Sequence, residues 1–499
     1  MKIDFYGAAG CVTGSSHLLK VKDKRILLDC GMYQGRDEKE RDNEAFNFIP
    51  KDIDYLILSH AHIDHSGRIP LLYKQGFKGK IVCTEGTKDL CQVMLEDSGH
   101  IQEMEAEWDN KKRMRKGQGL VEPLYTARMA TLSMYLFEGY PYDLWIELFD
   151  GFKLRFRDAG HLLGSAIIEI IIEENGEKTK LVYSGDLGNK QIPILKDPAI
   201  VDEADYLILE TTYGDRLHEV YKDDMMKLLK IIQDTFKRGG NVIIPSFAVG
   251  RTQEIIYALN NYVEQSMLKN ISVYVDSPLA IETTEIFKYH TEYFDKETQD
   301  LLEKGDDPFA FEGLVYTNST EESLTVNRIK KGAVIISASG MCDAGRIKHH
   351  LKHNLWRKES SVVFIGYQAE GTLGRNILNG AKLVKIFGEE IAVNAQIYSL
   401  QGLSGHADRK GLMDWVSSFK EKPKAILLVH GEEEGRESFN KLLLEKGYKS
   451  LIMKMGDTFN PGEEESEVKK RIINLLDSLK DVDSIKTEDL IEKIRGVLQ

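Results

Sequence analysis

The sequence predicts a layered α/β fold that carries a second, parallel-sheet module as an insertion. Two observations support this prediction. Short apolar segments repeatedly end near a residue that can bind a metal: residues 55–58 precede His60, and residues 425–429 precede His430. Between these two histidines, apolar strands alternate with helical segments in the pattern of a doubly wound parallel sheet. Since side chains at such strand ends meet at one edge of a sheet, we expect a single site there.

The order of the elements divides the chain into four predicted parts. Strands of the parent domain end close to Asp29, Asp186 and Glu210, before the β-α repeats begin, and the strand before His430 follows those repeats. The repeats are therefore interpreted as an insertion into the parent domain. The parts are the first stretch of the parent domain, the inserted module, the returning stretch and a C-terminal helical extension, at residues 1–212, 213–395, 396–455 and 456–499.

The C-terminal extension contains two amphipathic helical patterns. Their apolar residues recur at the spacing of one helix face: Val468, Ile472, Leu475, Leu476 and Leu479 in the first, and Leu490, Ile491, Ile494, Val497 and Leu498 in the second. These faces could cap the fold or join a second subunit. A homodimer is therefore one option that the sequence leaves open.

Composition favours a globular intracellular protein over a membrane or secreted one. With 499 residues, of which 42% are hydrophobic and 29% charged, the chain exceeds one ordinary core and should form several domains. No apolar run approaches the roughly 18 residues of a membrane span. The five cysteines are odd in number and form no C-x-x-C pair, which favours a reducing cytoplasm over a disulfide framework.

The charge is unevenly distributed along the chain. A formal net charge of −13 argues against non-specific coating of nucleic acid. Residues 328–385, however, contain eleven Lys and Arg against three acidic residues. A solvated helix face would explain such a run, but the Gly-rich turns within it favour a phosphate-binding surface.

Four side chains that can bind metal lie within six residues, at His60, His62, Asp64 and His65. Two imidazoles separated by one residue can meet one metal, and the Asp-His pair that follows points to a second. Zinc accepts imidazole nitrogen and carboxylate oxygen, and a catalytic zinc site keeps one position open for water. A surface histidine cluster is the alternative interpretation, but the further ligand-type residues at strand ends favour a metal site.

This segment resembles the H-x-H-x-D-H signature of the metallo-β-lactamase superfamily. Asp29, His161 and Asp186 match the other motifs of that superfamily in order, and Glu210, His406 and His430 match the three additional motifs of the β-CASP nucleases. The resemblance covers roughly residues 1–455. Residues 59–67 are most similar to the cleavage and polyadenylation specificity factor endonuclease and its bacterial relatives. The resemblance implies a metallo-β-lactamase αββα sandwich with an inserted doubly wound β-CASP domain.

The resemblance also implies two Zn²⁺ ions per chain. One zinc would bind His60, His62 and His161, and the other would bind Asp64, His65 and His430. Asp186 would bridge the two ions, which leaves room for the hydroxide of a two-metal hydrolase. Asp29 is expected to orient a ligand rather than to bind metal, because good sites hold their imidazoles through outer carboxylates.

His406 is the candidate general acid, with Glu210 as the carboxylate that orients it. An adjacent anion favours imidazolium, which can protonate the leaving oxygen. Taken alone, Glu210 could be a turn carboxylate and His406 an ordinary residue at a helix N-terminus. Their positions at two motifs of the same family favour catalysis for both.

Three arginines follow glycine-containing turns in the predicted insertion, at Arg251, Arg346 and Arg375. Backbone N–H groups and the dipole at a helix N-terminus favour phosphate there. Each turn is weak evidence for phosphate binding when taken alone. Three of them within one module predict a surface along which the phosphodiester groups of RNA bind, called the predicted track below.

The leading hypothesis is a zinc-dependent ribonuclease that cuts single-stranded RNA internally. RNA is favoured over DNA because His430 resembles the family motif of RNA-directed members, where DNA-directed members have Val. A 5′-exoribonuclease is one alternative. A small-molecule metallohydrolase acting on thioesters or lactones is another, although a small substrate needs no large inserted domain. A metal-stabilised RNA-binding scaffold is the third, and it would leave Glu210 and His406 without a purpose.

Overall fold

A computed structural model describes residues 1–366, 368–400 and 402–461. The predicted amphipathic helices at 468–479 and 490–498 lie outside the described residues. Within the described part, the structure contains three large sheets and a small two-stranded one. None of its described helices is both long enough and apolar enough to cross a membrane.

The strands are numbered in chain order. In the first stretch they are β1 Lys2–Gly7, β2 Ser16–Val21, β3 Lys24–Leu28, β4 Tyr55–Ile57, β5 Lys80–Thr84, β6 Phe137–Tyr140, β7 Ile146–Phe149, β8 Phe152–Asp158, β9 Ala166–Glu174, β10 Glu177–Tyr183 and β11 Tyr206–Glu210. The next are β12 Val242–Pro245, β13 Ser272–Val275, β14 Leu314–Tyr316, β15 Ala333–Ser337, β16 Ser361–Ile365, β17 Leu383–Ile386, β18 Glu389–Ala392 and β19 Gln396–Leu400. The last are β20 Ala425–Val429, β21 Ser450–Ile452 and β22 Thr458–Phe459.

The helices are numbered in the same way. They are α1 Arg36–Glu40, α2 Ile63–Ser66, α3 Ile69–Lys74, α4 Glu85–Arg115, α5 Ala127–Ser133, α6 Tyr221–Lys237, α7 Arg251–Glu264, α8 Pro278–Tyr289, α9 Lys296–Glu303, α10 Thr320–Val326, α11 Ile347–Asn354, α12 Leu373–Leu378, α13 Arg409–Val416 and α14 Glu433–Glu445. Short 3-10 turns occupy Pro50–Asp52, Met134–Leu136 and Thr291–Tyr293.

Two seven-stranded sheets face each other and form the parent domain. Their strand orders are β22-β1-β2-β3-β4-β5-β6 and β21-β20-β11-β10-β9-β8-β7. Their inner faces share one apolar core, in which Phe5 and Ile26 pack with Phe156 and Leu427. Helices cover both outer faces, as α13 and α14 do through Trp415 and Phe439. This is the αββα sandwich that the sequence predicted.

Parallel strands bring the ligand-type residues together. Strands β10, β11 and β20 run parallel, and so do β3 and β4. The carboxyl ends of each set therefore open onto the same edge of the sandwich, where a site is expected in such folds. Asp186, Glu210 and His430 reach this edge from one sheet, and Asp29 and His60 reach it from the other.

The inserted module is a parallel sheet with the order β14-β13-β15-β12-β16-β19. Its central strand residues Ile244, Ile336 and Val363 are buried. Two details differ from the predicted boundaries. Strand β19 pairs with β16, so the inserted sheet extends to Leu400 rather than ending at 395. Strand β22 pairs with β1, so the parent domain continues past 455. Both are short edge strands, whose pairing the local sequence does not specify.

Helix α4 is the longest helix in the described part of the chain, and its two halves differ in burial. Its first half is buried through Leu90, Cys91 and Leu95. The charged second half is exposed, including Met104 and Trp108. The helix therefore begins as part of the core and ends at the surface. Its low overall amphipathicity hides that difference between its two halves.

Candidate metal centre

The first group of metal-competent atoms comprises three imidazoles and one carboxylate. His62 Nδ1 lies 3.1 Å from both His60 Nε2 and His161 Nε2. Asp186 Oδ2 lies 3.4 Å from His60 Nε2 and 3.6 Å from His161 Nε2. These four side chains converge tightly enough for one ion.

The second group lies on the other side of the same carboxylate. His65 Nε2 and His430 Nε2 are 3.0 Å apart, and Asp64 Oδ2 lies 3.4 Å from His430 Nε2. Asp186 Oδ1 lies 3.3 Å from His65 Nε2 and 3.6 Å from His430 Nε2. The two oxygens of Asp186 therefore face different groups of ligands.

These side chains fit divalent cations. Asp186 Oδ1 is buried and has no hydrogen-bond donor among the described residues. Burial lowers the pKa of His62 to about 4 and holds the pKa values of His60 and His161 well below their usual value. Each of these rings is thus neutral near pH 7 and can offer one unprotonated nitrogen to a metal. Imidazole nitrogen and carboxylate oxygen are ligands that zinc prefers.

The remaining ring nitrogens of four histidines are held by the protein. His65 Nδ1 contacts Asp29 Oδ2 at 2.7 Å, and His60 Nδ1 contacts Ser59 Oγ at 3.1 Å. His161 Nδ1 donates to the Gly405 carbonyl oxygen at 2.9 Å. His430 Nδ1 contacts Thr212 Oγ1 at 3.0 Å. Such contacts fix the orientation and tautomer of an imidazole before a metal binds.

Asp29 is the centre of the network that holds His65. It is fully buried, and its backbone adopts φ 57°, a left-handed conformation. Tyr183 donates to Oδ2 at 2.6 Å, and Ser59 donates to Oδ2 through Oγ at 2.9 Å and to Oδ1 through N–H at 2.8 Å. Asp29 thus lies behind His65 and faces away from the converging atoms.

His406 lies beside both a buried carboxylate and the first group of ligands. Its Nδ1 is 3.1 Å from Glu210 Oε1 and 3.9 Å from Asp186 Oδ2. Glu210 is fully buried and accepts the Leu187 N–H at 2.7 Å. Burial opposes charge on His406, but Glu210 and Asp186 outweigh it and raise the pKa to about 9.

Three family models match consecutive parts of the chain. The Metallo-beta-lactamase superfamily matches residues 9–246, the Beta-Casp domain matches 252–377, and the Zn-dependent metallo-hydrolase RNA specificity domain matches 390–453. A ribonuclease of Thermus thermophilus is 38% identical over 457 residues, which cover 92% of this chain and 99% of that protein.

The chain belongs to the β-CASP family of metallo-β-lactamase-fold ribonucleases.

Two further relatives come from Methanocaldococcus jannaschii. An RNase J-like protein is 32% identical and matches 88% of this chain and 94% of its own length. The transcription termination factor FttA is 33% identical and matches 87% of this chain and 67% of its own length. A solved Enterococcus faecalis V583 protein of unknown function shares the fold, with TM-score 0.53, 13% identity, and coverage of 92% of this chain and 99% of that one.

A cavity of about 570 Å³ opens over the metal-competent residues of this β-CASP hydrolase. The parent domain lines it with His62, Asp64 and His406, and the inserted domain lines it with Phe247 and Arg251. A substrate in this cavity would therefore touch both domains at once.

Of the three predicted RNA-binding arginines, Arg251 lines this cavity, and Arg346 and Arg375 do not. Arg251 Nη1 donates to Glu254 and to the Leu403 carbonyl. Arg346 donates to Asp276 Oδ1 at 2.7 Å and to two backbone carbonyls. Arg375 pairs with Glu370 at 2.7 Å. All three guanidinium groups thus already have partners within the protein.

Apart from Asp29, the sequence did not identify the residues that orient these imidazoles. Ser59 and Thr212 stand next to or near motif residues, so their position in the motifs was an available signal. Tyr183 reaches Asp29 across 154 residues of sequence, and no local pattern marks it.

Proposed function

We propose that this chain is a two-zinc endoribonuclease that hydrolyses phosphodiester bonds in single-stranded RNA. The main support is the position of Asp186, whose two oxygens face two separate sets of ligand atoms. One buried carboxylate shared between two such groups suits a pair of metals acting on one phosphate. RNA as substrate is supported by the RNA specificity model and by the ribonuclease relatives.

In this proposal, His60, His62 and His161 would hold one zinc, Asp64, His65 and His430 would hold the other, and Asp186 would be shared between them. Zinc held there would supply Lewis acidity toward a phosphoryl group and would lower the pKa of water toward about 7. The protein holds the imidazoles in advance, because Asp29, Ser59, Thr212 and the Gly405 carbonyl fix their outer nitrogens.

His406 is proposed to protonate the leaving oxygen of the RNA. It lines the cavity, and its side chain is 19% exposed, so a substrate can reach the ring. Glu210 accepts from Nδ1, which directs Nε2 away from that carboxylate. A carboxylate in this position stabilises the imidazolium and fixes its orientation.

The cavity lining favours a polymeric substrate over a thioester or lactone, because both domains contribute residues to it. Internal cutting is supported by the resemblance of residues 59–67 to the polyadenylation-factor endonuclease. The RNA contacts assigned to Arg251, Arg346 and Arg375 stay predictions, and Arg251 is favoured because it lines the cavity.

The decisive experiment is digestion of single-stranded RNA labelled separately at its 5′ and 3′ ends. We expect internal fragments from both labels, loss of cleavage with a chelator, and recovery with Zn²⁺. Asp186→Ala should lose both cleavage and stoichiometric zinc. Release of mononucleotides from the 5′ label alone would support the exonuclease alternative, and full activity of Asp186→Ala would reject the bridging role.

A further inference from the structure

Arg436 is a buried arginine without a carboxylate partner. It lies in helix α14 and is 6% exposed. Its Nε–H donates to the Gly431 carbonyl at 2.9 Å, while its terminal amino groups have no hydrogen bond or salt bridge within the described residues. Arg436 lines the catalytic cavity. Because Gly431 directly follows His430, the guanidinium lies next to the second group of ligands.

Arg41, on the same wall, also lacks a carboxylate partner among the described residues, and its guanidinium carbon lies 5.8 Å from the centre of the Tyr33 ring. It lines the cavity, and its Nε is buried without a hydrogen-bond partner in the described part of the chain. Nη1 contacts Met455 Sδ at 3.3 Å, which is a weak acceptor. Burial lowers the pKa of Arg436, and the nearby charge of Arg41 lowers it further, while the charges of Glu433 and Glu437 oppose this change. The two arginines are therefore close enough to repel each other, and the two glutamates offset part of that repulsion.

Among the described residues, Asp37, Glu40, Glu433 and Glu434 line this wall and form no salt bridge with either arginine. Asp37 accepts the N–H and Oγ1–H of Thr13 at 3.2 and 2.7 Å. Glu40 accepts from Arg36 at 2.7 Å. Glu433 and Glu434 also line the cavity, but neither forms a salt bridge with Arg41 or Arg436 in the part of the chain that the structure describes. Burial raises the pKa of the Cys11 thiol to about 11, so it is uncharged near pH 7.

We infer that Arg41 and Arg436 form a subsite for an RNA phosphodiester group adjacent to the one that is cleaved. This inference rests on the proposed function. Two guanidinium groups with free N–H donors match the several acceptor oxygens of a phosphodiester, and an anion between them removes their mutual repulsion. The subsite lies on the parent-domain wall beside His430, whereas the predicted track runs through the inserted domain.

The subsite also fixes where RNA lies relative to the acid. The His406 ring is 4.5 Å from His161 and 5.9 Å from His430, so the acid lies toward the first group of ligands. Arg436 is attached to the loop of the second group through Gly431. RNA held at both places extends across both groups of ligands, which positions one phosphodiester over Asp186.

The test uses a single-stranded RNA oligonucleotide with one mapped cleavage site. Each flanking phosphate is replaced in turn by an uncharged methylphosphonate, and kcat/KM is measured for the wild type, Arg41→Gln and Arg436→Gln. We expect one neutral linkage to lower wild-type kcat/KM by about 10–100-fold, as for a charged hydrogen bond. With unmodified RNA, Arg436→Gln should show a similar loss of kcat/KM. With the RNA that carries the neutral linkage, its kcat/KM should fall little further.

Salt dependence gives a second readout. Each lost phosphate contact should reduce the slope of log binding constant against log salt by about 0.7 for a single strand. Arg436→Lys keeps the charge and should retain most of the slope. Arg25→Gln is the control, because Arg25 pairs with Asp52 outside the cavity lining. Zinc content and thermal unfolding of each variant show whether it is folded.

The outcomes separate the inference from the proposed function. If the wild type cleaves RNA and both glutamine variants match it, the subsite is wrong and the proposed function stands. If the effects of the glutamine substitution and of the neutral linkage on kcat/KM simply multiply at every linkage tested, the arginines do not hold any of those phosphates. If the wild type, loaded with zinc, leaves RNA intact, both fail.

Discussion

The orientation of the His406 ring is set by the residues around it. Its Nδ1 faces the buried Glu210 carboxylate at 3.1 Å, while its ring lies 4.5 Å from that of His161. The side chain therefore lies beside the first group of ligands without belonging to either group. A residue in that position can affect proton transfer separately from metal binding.

We expect His406→Ala to keep both zinc ions and to slow the chemical step by about 10²–10⁴-fold, the usual contribution of a general acid. Single-turnover cleavage of RNA, with zinc content measured on the same sample, checks this. Glu210→Gln keeps the shape of the side chain, and its single-turnover rate should lie between those of the wild type and His406→Ala. A normal single-turnover rate in His406→Ala would remove this residue from the mechanism.

Asp276 illustrates a buried charge with a structural task. It is fully buried and accepts hydrogen bonds from Thr317 and Arg346 on Oδ1, and from Ser323 and His350 on Oδ2, all within 2.8 Å. Burial opposes ionisation, but these donors hold the pKa of Asp276 well below its usual 3.8. The network ties β13, β14, α10 and α11 of the inserted domain together.

The pH dependence of stability follows from that lowered pKa. A carboxyl whose pKa is lower in the folded state stabilises the fold above its unfolded value near 3.8, and this contribution is lost as pH falls below it. Asp276→Asn should lower the free energy of unfolding at pH 7 by about 3–5 kcal/mol. It should also flatten the loss of stability below about pH 4. Urea unfolding with chelator present, at several pH values, checks both points.

Most of the side chains that converge in the candidate metal centre could be predicted from sequence, while most of the residues that hold them in place could not. His60, His62, Asp64 and His65 stand in one short motif at a strand end, so backbone geometry alone brings them together. The sequence did not indicate that Arg346 pairs with Asp276. Asp276 lies 70 residues away along the chain and meets Arg346 only after folding. A single sequence gives no sign of such long-range pairs.

At the scale of elements, helix α7 of the inserted domain reaches the loop that carries His406. Arg251, its first residue, donates to the Leu403 carbonyl, and His161 Nδ1 binds the Gly405 carbonyl from the other side. A Cβ on Gly405 would lie 2.7 Å from Arg251 Nη2, so glycine allows this close approach. The loop is thus fixed by one element from each domain.

We expect Arg251→Ala to lower kcat by about 10–100-fold, because small displacements of a catalytic group are costly. The loss of a cavity-lining charge should also reduce the salt slope of RNA binding by about 0.7. Rapid-quench kinetics and binding titrations at several salt concentrations separate the two effects. An unchanged kcat would show that this contact does not position the loop.

Edge strands mark the limit of prediction at this scale. Central strands such as β12 and β20 are continuous apolar runs, and the sequence located them. Strands β19 and β22 carry no such run, so their pairing depends on neighbours that only the folded structure supplies. For that reason the predicted boundaries at 395 and 455 do not include these two strands, although the inserted sheet extends to Leu400 and the parent domain continues beyond 455.

At the scale of the whole molecule, the candidate metal site lies where the two facing sheets of the parent domain meet. The ligands come from strand ends of both facing sheets, so metal binding links the two halves of the sandwich. Zinc removal should therefore lower stability as well as activity. At free zinc one hundred times the dissociation constant, the stabilisation is about 2.7 kcal/mol per site.

Thermal unfolding with zinc, with chelator, and with chelator followed by zinc tests this expectation. We expect two zinc ions per chain in the active enzyme and a reversible fall of Tm after chelation. The same series on Asp29→Asn should show zinc affinity weaker by about 10–100-fold, because the carboxylate behind His65 is lost. One zinc per chain in a fully active sample would contradict the two-metal proposal.

The late position of His430 in the chain bears on when the candidate metal centre can form during translation. It follows β20, near the end of the described chain, and its backbone N–H donates to the Ala8 carbonyl at 2.6 Å, so the ligand set closes only when late and early segments meet. Under the proposed assignment, a polypeptide still on the ribosome before residue 430 lacks one ligand of the second zinc. On that assignment, the second zinc site can be completed only after residue 430 has been translated, and a fragment that ends earlier should bind less zinc than the full chain.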